Sequence, residues 1–193
     1  MALCTTTYAK QSADLARVDT TWLSNIIDAA SSMIEGYCDR TFSAADYEET
    51  VDGTGLDWIY VKNAPINSFT SIVITDSSNN EETILASQFR YESTAGKITF
   101  KYNNTSSYLA FPEDFQNVKV TYNGGYTTIP AAVQQACALV TRNIYSRTSG
   151  GTNPAYKTEK MGEHSFTRES MNNQVMTPDV MALLDRYVRC NIV

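Results

Sequence analysis

The hydrophobic period of this chain changes twice, and those two changes constrain the fold more than any single motif. Leu23, Ile26, Ile27, Ala30, Met33, Ile34 and Tyr37 recur at three- and four-residue steps. That spacing predicts an amphipathic helix over about residues 20–38. From Tyr47 to Tyr122 the period falls to two. It turns helical again at Pro130, where Val133, Cys137, Val140 and Ile144 mark one face of a helix over about 130–147. Helices on both sides of a β block pack together only if the block is an insertion into a helical core.

Within the block, YEETVDG, DWIYVKN, FTSIVIT, TILASQFRY, GKITFKY and NVKVTY read as six short strands. Turns rich in Asn, Asp, Gly and Ser separate them, which predicts a small antiparallel sandwich or barrel. Alternation places Ile72 and Ile74 on one face and Phe69 and Val73 on the other. It aligns Ile98, Phe100 and Tyr102, and it sets Val118, Val120 and Tyr122 on a shared face.

The stretch VTYNGGYTTIPAAVQQA, residues 120–136, carries the return to helix. Gly124 and Gly125 accept positive φ without a Cβ clash. Thr128 suits a helix cap, and Pro130 suits a first turn that needs no N–H. Gly124, Gly125 and Pro130 are therefore expected to form a strand-to-helix hinge.

Three further regions complete the outline. Residues 1–18 are polar and lack a sustained period, so they read as an N-terminal arm ordered against a neighbour. Thr20 or Thr21 caps the first helix, with Asp19 where negative charge suits its N-terminus. Residues 147–176 form a long unpatterned loop. Thr177-Pro178-Asp179 then starts a third helix, with Val180, Leu183, Leu184, Tyr187 and Val188 as its stripe. The fold class expected is α+β: a helical core of three main helices (residues 19–42 and 128–193), with a small antiparallel β domain (43–127) inserted between the first and second.

Composition narrows the function. The net charge of −6 and pI near 4.8 disfavour tight nucleic-acid or anionic-membrane binding, both of which draw on Lys and Arg. The N-terminus lacks an apolar signal core, and no apolar run approaches the roughly 18 residues that span a bilayer. Cys4, Cys38, Cys137 and Cys190 form no C-x-x-C pair, so they read as reduced structural thiols with no metal role. The lone His164 has no marked serine or acid partner. Gly53 and Gly55 read as a hairpin turn, since a strand follows where a phosphate loop needs a helix. The carboxylates at Asp46, Glu48, Glu49, Asp52, Glu81 and Glu82 read as strand-face and turn charges. No enzyme and no cofactor are expected.

Four stretches, 19–42, 51–66, 118–136 and the late KTEKMGEHSFT with LLDRYV, occur in an order that resembles the head–tail connector adaptors of tailed bacteriophages, or head completion adaptors. The resemblance implies a ring, usually dodecameric, docked beneath the portal protein at the head–tail junction of the virion. Assembly would occur in the host cytoplasm, with a stopper or tail-completion protein on the other side. Genomic DNA would pass through without specific binding, and no membrane would be involved. It also implies portal or subunit contacts from the loop and the C-terminal segment: Tyr156, Lys160, Met161, His164, Phe166, Tyr187, Arg189, Ile192 and Val193. Two features depart from the family pattern. The loop is longer, and Asp39-Arg40 stands where Gly-Arg is more usual. The alternatives are another connector component, a stopper or tail terminator, or a small ligand-binding β-domain protein.

Overall fold

The structure, a computed structural model, describes residues 2–102, 106–148, 158–161, 164–167 and 175–189; for 158–161 and 164–167 it describes the backbone. Among the described residues there are four α-helices and nine strands. The chain divides into a helical unit, Met1–Asp39 with Ile129–Val193, and a β unit, Arg40–Thr128. The α+β class with a β insertion between helices is what the structure shows, with one helix more than expected.

The additional helix is α1, Thr6–Ser12, capped by Thr5, whose side chain accepts from the N–H of Tyr8. Leu3, Cys4, Ala9, Ala13 and Leu15 are all buried. The segment expected to order against a neighbour is instead packed into its own helical unit. Sequence periodicity misses it because a seven-residue helix is too short to display two turns of a stripe.

Helix α2, Thr20–Cys38, buries Leu23, Ile26, Ile27, Ala30, Ile34 and Cys38. Its cap is Asp19, whose Oδ1 accepts the N–H of Trp22 at 3.0 Å, and not Thr20 or Thr21. Met33 and Tyr37, expected on the stripe, sit at its exposed border. The helix ends at Asp39 in the left-handed conformation, φ 48° and ψ 43°, with its N–H turned back to Glu35 and Gly36. Glycine adopts that cap most cheaply, which is the physical content of the Gly-Arg to Asp-Arg departure. Helix α3, Ala131–Thr148, buries Val133, Ala136, Cys137, Ala138 and Val140. Helix α4, Pro178–Leu184, has proline in its first turn and Asp179 beside it, and buries Val180 and Leu184. A 3-10 turn, Asp185–Tyr187, follows it.

In the β unit, β1 (Ala45–Gly53), β3 (Ile66–Thr75), β4 (Glu81–Leu85) and β7 (Asp114–Gly124) form one sheet in the order β1-β7-β3-β4. A second sheet, β2-β6-β5, combines β2 (Trp58–Tyr60), β5 (Phe89–Glu92) and β6 (Lys97–Phe100). The core between them holds Ile72, Ile74, Val118, Val120 and Tyr122 from the first sheet and Ile59, Phe89, Ile98 and Phe100 from the second. Phe111 joins from a loop, with its ring centroid 4.7 Å from that of Phe100.

The structure differs from simple alternation at three points. Phe69 lies in the same core as Ile72 because the β3–β7 register shifts between Phe69 and Ser71. A bulge of that kind adds a residue and reverses the parity of every side chain beyond it. TILASQFRY is two strands in different sheets, divided by a 3-10 turn at Ala86–Gln88. Tyr102 falls outside β6 and is fully exposed.

Candidate interface surfaces

The three positions expected to form a hinge differ in what each needs. Gly125 takes φ +93°, a region that side chains rarely enter. Gly124 does not need positive φ. It is glycine because a Cβ there would run into the carbonyl oxygen of Asn63 and the ring of Tyr122. Pro130 stands one residue before α3, and its carbonyl accepts the N–H groups of Val133 and Gln134 at 2.9 and 3.0 Å. The chain passes from the β unit to the helical unit between Thr128 and Ile129.

The loop expected to be irregular contains a hairpin. Strand β8, Thr158–Met161, pairs with β9, His164–Thr167. Lys160 stands opposite Ser165, Met161 opposite His164, and Phe166 opposite Glu159. Backbone pairing of this kind needs no apolar alternation, so periodicity did not reveal it. Tyr156, Ile192 and Val193 lie outside the described residues.

Tyr187 is buried in the helical unit, with the Arg186 guanidinium 5.1 Å from its ring centroid. Arg189 is tied to the end of α2. Its N–H donates to Cys38 O at 3.1 Å and its guanidinium lies 3.6 Å from the Asp39 carboxylate.

The acidic groups of the β unit serve mainly structural hydrogen bonds. Glu48 pairs with Lys119 at 2.7 Å. Glu49 accepts the N–H of Lys62 at 2.8 Å, and Asp52 that of Gln116 at 2.7 Å. Glu82 accepts the N–H of Ser107 at 3.2 Å. Among the described residues no group of three or more His, Cys, Asp or Glu is placed to hold a metal, and no helix is long and apolar enough to cross a membrane.

One surface of the β unit has a different character. The turn after β1 and the loop before β7 are joined by Gly55 N–H to Phe111 O and Phe111 N–H to Leu56 O, both 2.8 Å. Asn117 Oδ1 accepts the N–H of Gly53, and its amide donates to Pro112 O, both also at 2.8 Å. Phe111, fully buried, anchors this frame. On it stand Leu56, Leu109 and Phe115, exposed by 45%, 72% and 75%. Asp52, Asp57, Glu113 and Asp114 are exposed around them. Residues 41–61 and 102–118 carry seven Asp and Glu and no Lys or Arg. The β unit as a whole has six Lys and Arg against eleven Asp and Glu, a net of −5. Sequence reading missed this tip because it treated each turn separately; Leu109 and Phe115 fall in NNTSSYLAFPEDF, a stretch that reads as a polar loop. Exposed apolar side chains carried by a hydrogen-bonded turn and loop make this a candidate interaction surface.

The fold defines a class: a helical unit whose chain is interrupted by a two-sheet antiparallel β unit. The chain belongs to the head completion protein family, whose model matches residues 2–189. No curated protein matches it significantly. Among solved structures it is similar to a chain in the neck of an empty gene transfer agent (GTA) particle computed with C6 symmetry. That match has 17% identity and a TM-score of 0.57, and covers 92% of this chain and 83% of the other. It is also similar to a chain in the neck of a native GTA particle computed with C12 symmetry, at 16% identity and a TM-score of 0.57, covering 97% and 92%. A chain of the native GTA virion matches at 16% identity and a TM-score of 0.56, covering 91% and 81%. These likenesses show that the fold is shared.

Proposed function

We propose that this chain is a structural adaptor of the head–tail connector. Copies of it form a ring beneath the portal, join the capsid vertex to the tail components and leave an axial passage for DNA. The observation that carries this reading is membership of the head completion protein family over residues 2–189. The shared fold with chains of GTA necks supports the ring. The role is architectural and requires no catalysis.

Two surfaces divide the work. The helical unit supplies the ring and, through the β8–β9 hairpin and the segment after Arg189, the contacts with portal and neighbours. The acidic, apolar tip built from Leu56, Leu109 and Phe115 docks on a neighbouring component that presents apolar surface bordered by Lys and Arg. The net charge of −6 suits a passage, because negative walls repel phosphates instead of retaining them.

Particles assembled without this protein test the role. The expected products are separate heads and tails that join when the purified chain is added back. Tailed particles at normal yield without it would overturn the proposal.

A further inference from the structure

Two thiols that lie 133 positions apart in sequence meet inside the helical unit: Cys4 Sγ donates to Cys137 Sγ at 3.4 Å. Cys137 is on the buried face of α3, and Cys4 is in the segment leading into α1. The approach is held by Leu3, whose side chain is buried and whose N–H donates to Ser31 Oγ at 2.9 Å. Ser31 Oγ in turn lies 3.7 Å from Cys137 Sγ. A disulfide needs sulfurs about 2.05 Å apart, so closure takes a shift of about 1.4 Å.

We propose that Cys4 and Cys137 are a covalent oxidation site, which a small-molecule disulfide of the glutathione class converts to an intramolecular disulfide tying the N-terminal segment to α3. The two thiols have different parts. The hydrogen bond from Cys4 lowers the pKa of Cys137, whereas that same bond, with burial, raises the pKa of Cys4. Cys137 is therefore the more acidic thiol of the closed pair. It is fully buried and cannot meet an oxidant, while Cys4 is 5% exposed on the short segment ahead of α1, whose local opening the exchange requires.

The exchange follows from that division. When the segment opens, the Cys4 thiolate attacks oxidised glutathione. A Cys4–glutathione disulfide forms and one glutathione thiolate leaves, taking up a proton. When the segment closes, the Cys137 thiolate attacks Cys4 Sγ. The protein disulfide forms and the second glutathione thiolate leaves. Two protein thiols are oxidised and one glutathione disulfide is reduced to two thiols. The site needs only the helical unit and does not rest on the adaptor reading. For a particle component it would close after release from a reducing cytosol.

The test treats the full chain, with Cys190→Ser to remove a fourth thiol, with oxidised glutathione and reads intact mass under non-reducing conditions. The expected product has lost two hydrogens, retains Cys38 as a thiol, and shows a Tm raised by roughly 5–15 °C that dithiothreitol reverses. Cys137→Ser should accumulate a single glutathione adduct on Cys4, and Cys4→Ser should leave Cys137 unmodified. A Cys190→Ser chain that stays fully reduced, or stops at the adduct, would overturn the proposal. So would a glutathione adduct on Cys137 in Cys4→Ser.

Discussion

The phenol oxygen of Tyr122, buried in the β unit, accepts the backbone N–H of Asn63 at 3.0 Å. Asn63 in turn accepts the N–H of Thr41 through its side chain at 2.8 Å. One aromatic residue of β7 thus fixes the loop after β2 and, through it, the entry of the chain into the β unit. Tyr122→Phe leaves a buried N–H without an acceptor. A loss of about 1–3 kcal/mol is expected, read from the urea midpoint.

The same phenol predicts a pH dependence. Burial first, and the Glu49 carboxylate second, push its pKa above the ordinary 10.0. The folded state therefore keeps a proton that the unfolded chain releases above about pH 10. This contribution to stability is complete below pH 10 and declines as pH rises beyond it. Urea midpoints at about pH 8 and about pH 11 should show that decline in the wild type and a smaller one in Tyr122→Phe.

Two glycines should respond oppositely to alanine. Around Gly36, in the last turns of α2, nothing stands within 4 Å of an added Cβ. Gly36→Ala is expected to stabilise by roughly 0.5–1 kcal/mol through helix propensity. At Gly53 a Cβ would strike the Pro112 carbonyl and Asn117 Oδ1. Gly53→Ala should cost about 2 kcal/mol or more by breaking the frame of the tip. Thermal unfolding of the two variants provides the comparison.

These contrasts show what was legible in the sequence. The stripes of α2 and α3, the β insertion and the shared face of Val118, Val120 and Tyr122 were readable because each repeats over several residues. The side of the core on which Phe69 falls was not, because it depends on a bulge set by the partner strand. Nor was the split of TILASQFRY, which a three-residue corner decides. Helix α1 and the β8–β9 hairpin are too short for a period to show. The Cys4–Cys137 contact and the tip each join residues distant in sequence, and no local pattern marks such a meeting.

At the end of α2, Asp39 combines a left-handed backbone with a partly exposed ion pair to Arg189 at 3.6 Å. Glycine would lose the pair, worth about 0–1 kcal/mol at such exposure, and relieve the backbone by a similar amount. Asp39→Gly should therefore be near neutral. Asp39→Ala loses the pair without relief and should be less stable than Asp39→Gly by about 1 kcal/mol. Equal stability in chemical denaturation would contradict the cap assignment.

The tip separates folding from docking. Phe111 is fully buried against Phe100, whereas Phe115 is 75% exposed. Phe111→Ala should cost about 3–5 kcal/mol. The double variant Leu109→Ser, Phe115→Ser should change stability by less than about 0.5 kcal/mol yet abolish joining in add-back assembly. Full joining by the folded double variant would remove the tip from the interface.

The central claim is that this chain seats on a portal. Its most direct test is co-sedimentation of the purified chain with the portal ring of the same particle, followed by electron microscopy of the peak. A coaxial ring of this protein beneath the portal is the predicted result. An intact portal ring that sediments without it would contradict the adaptor account.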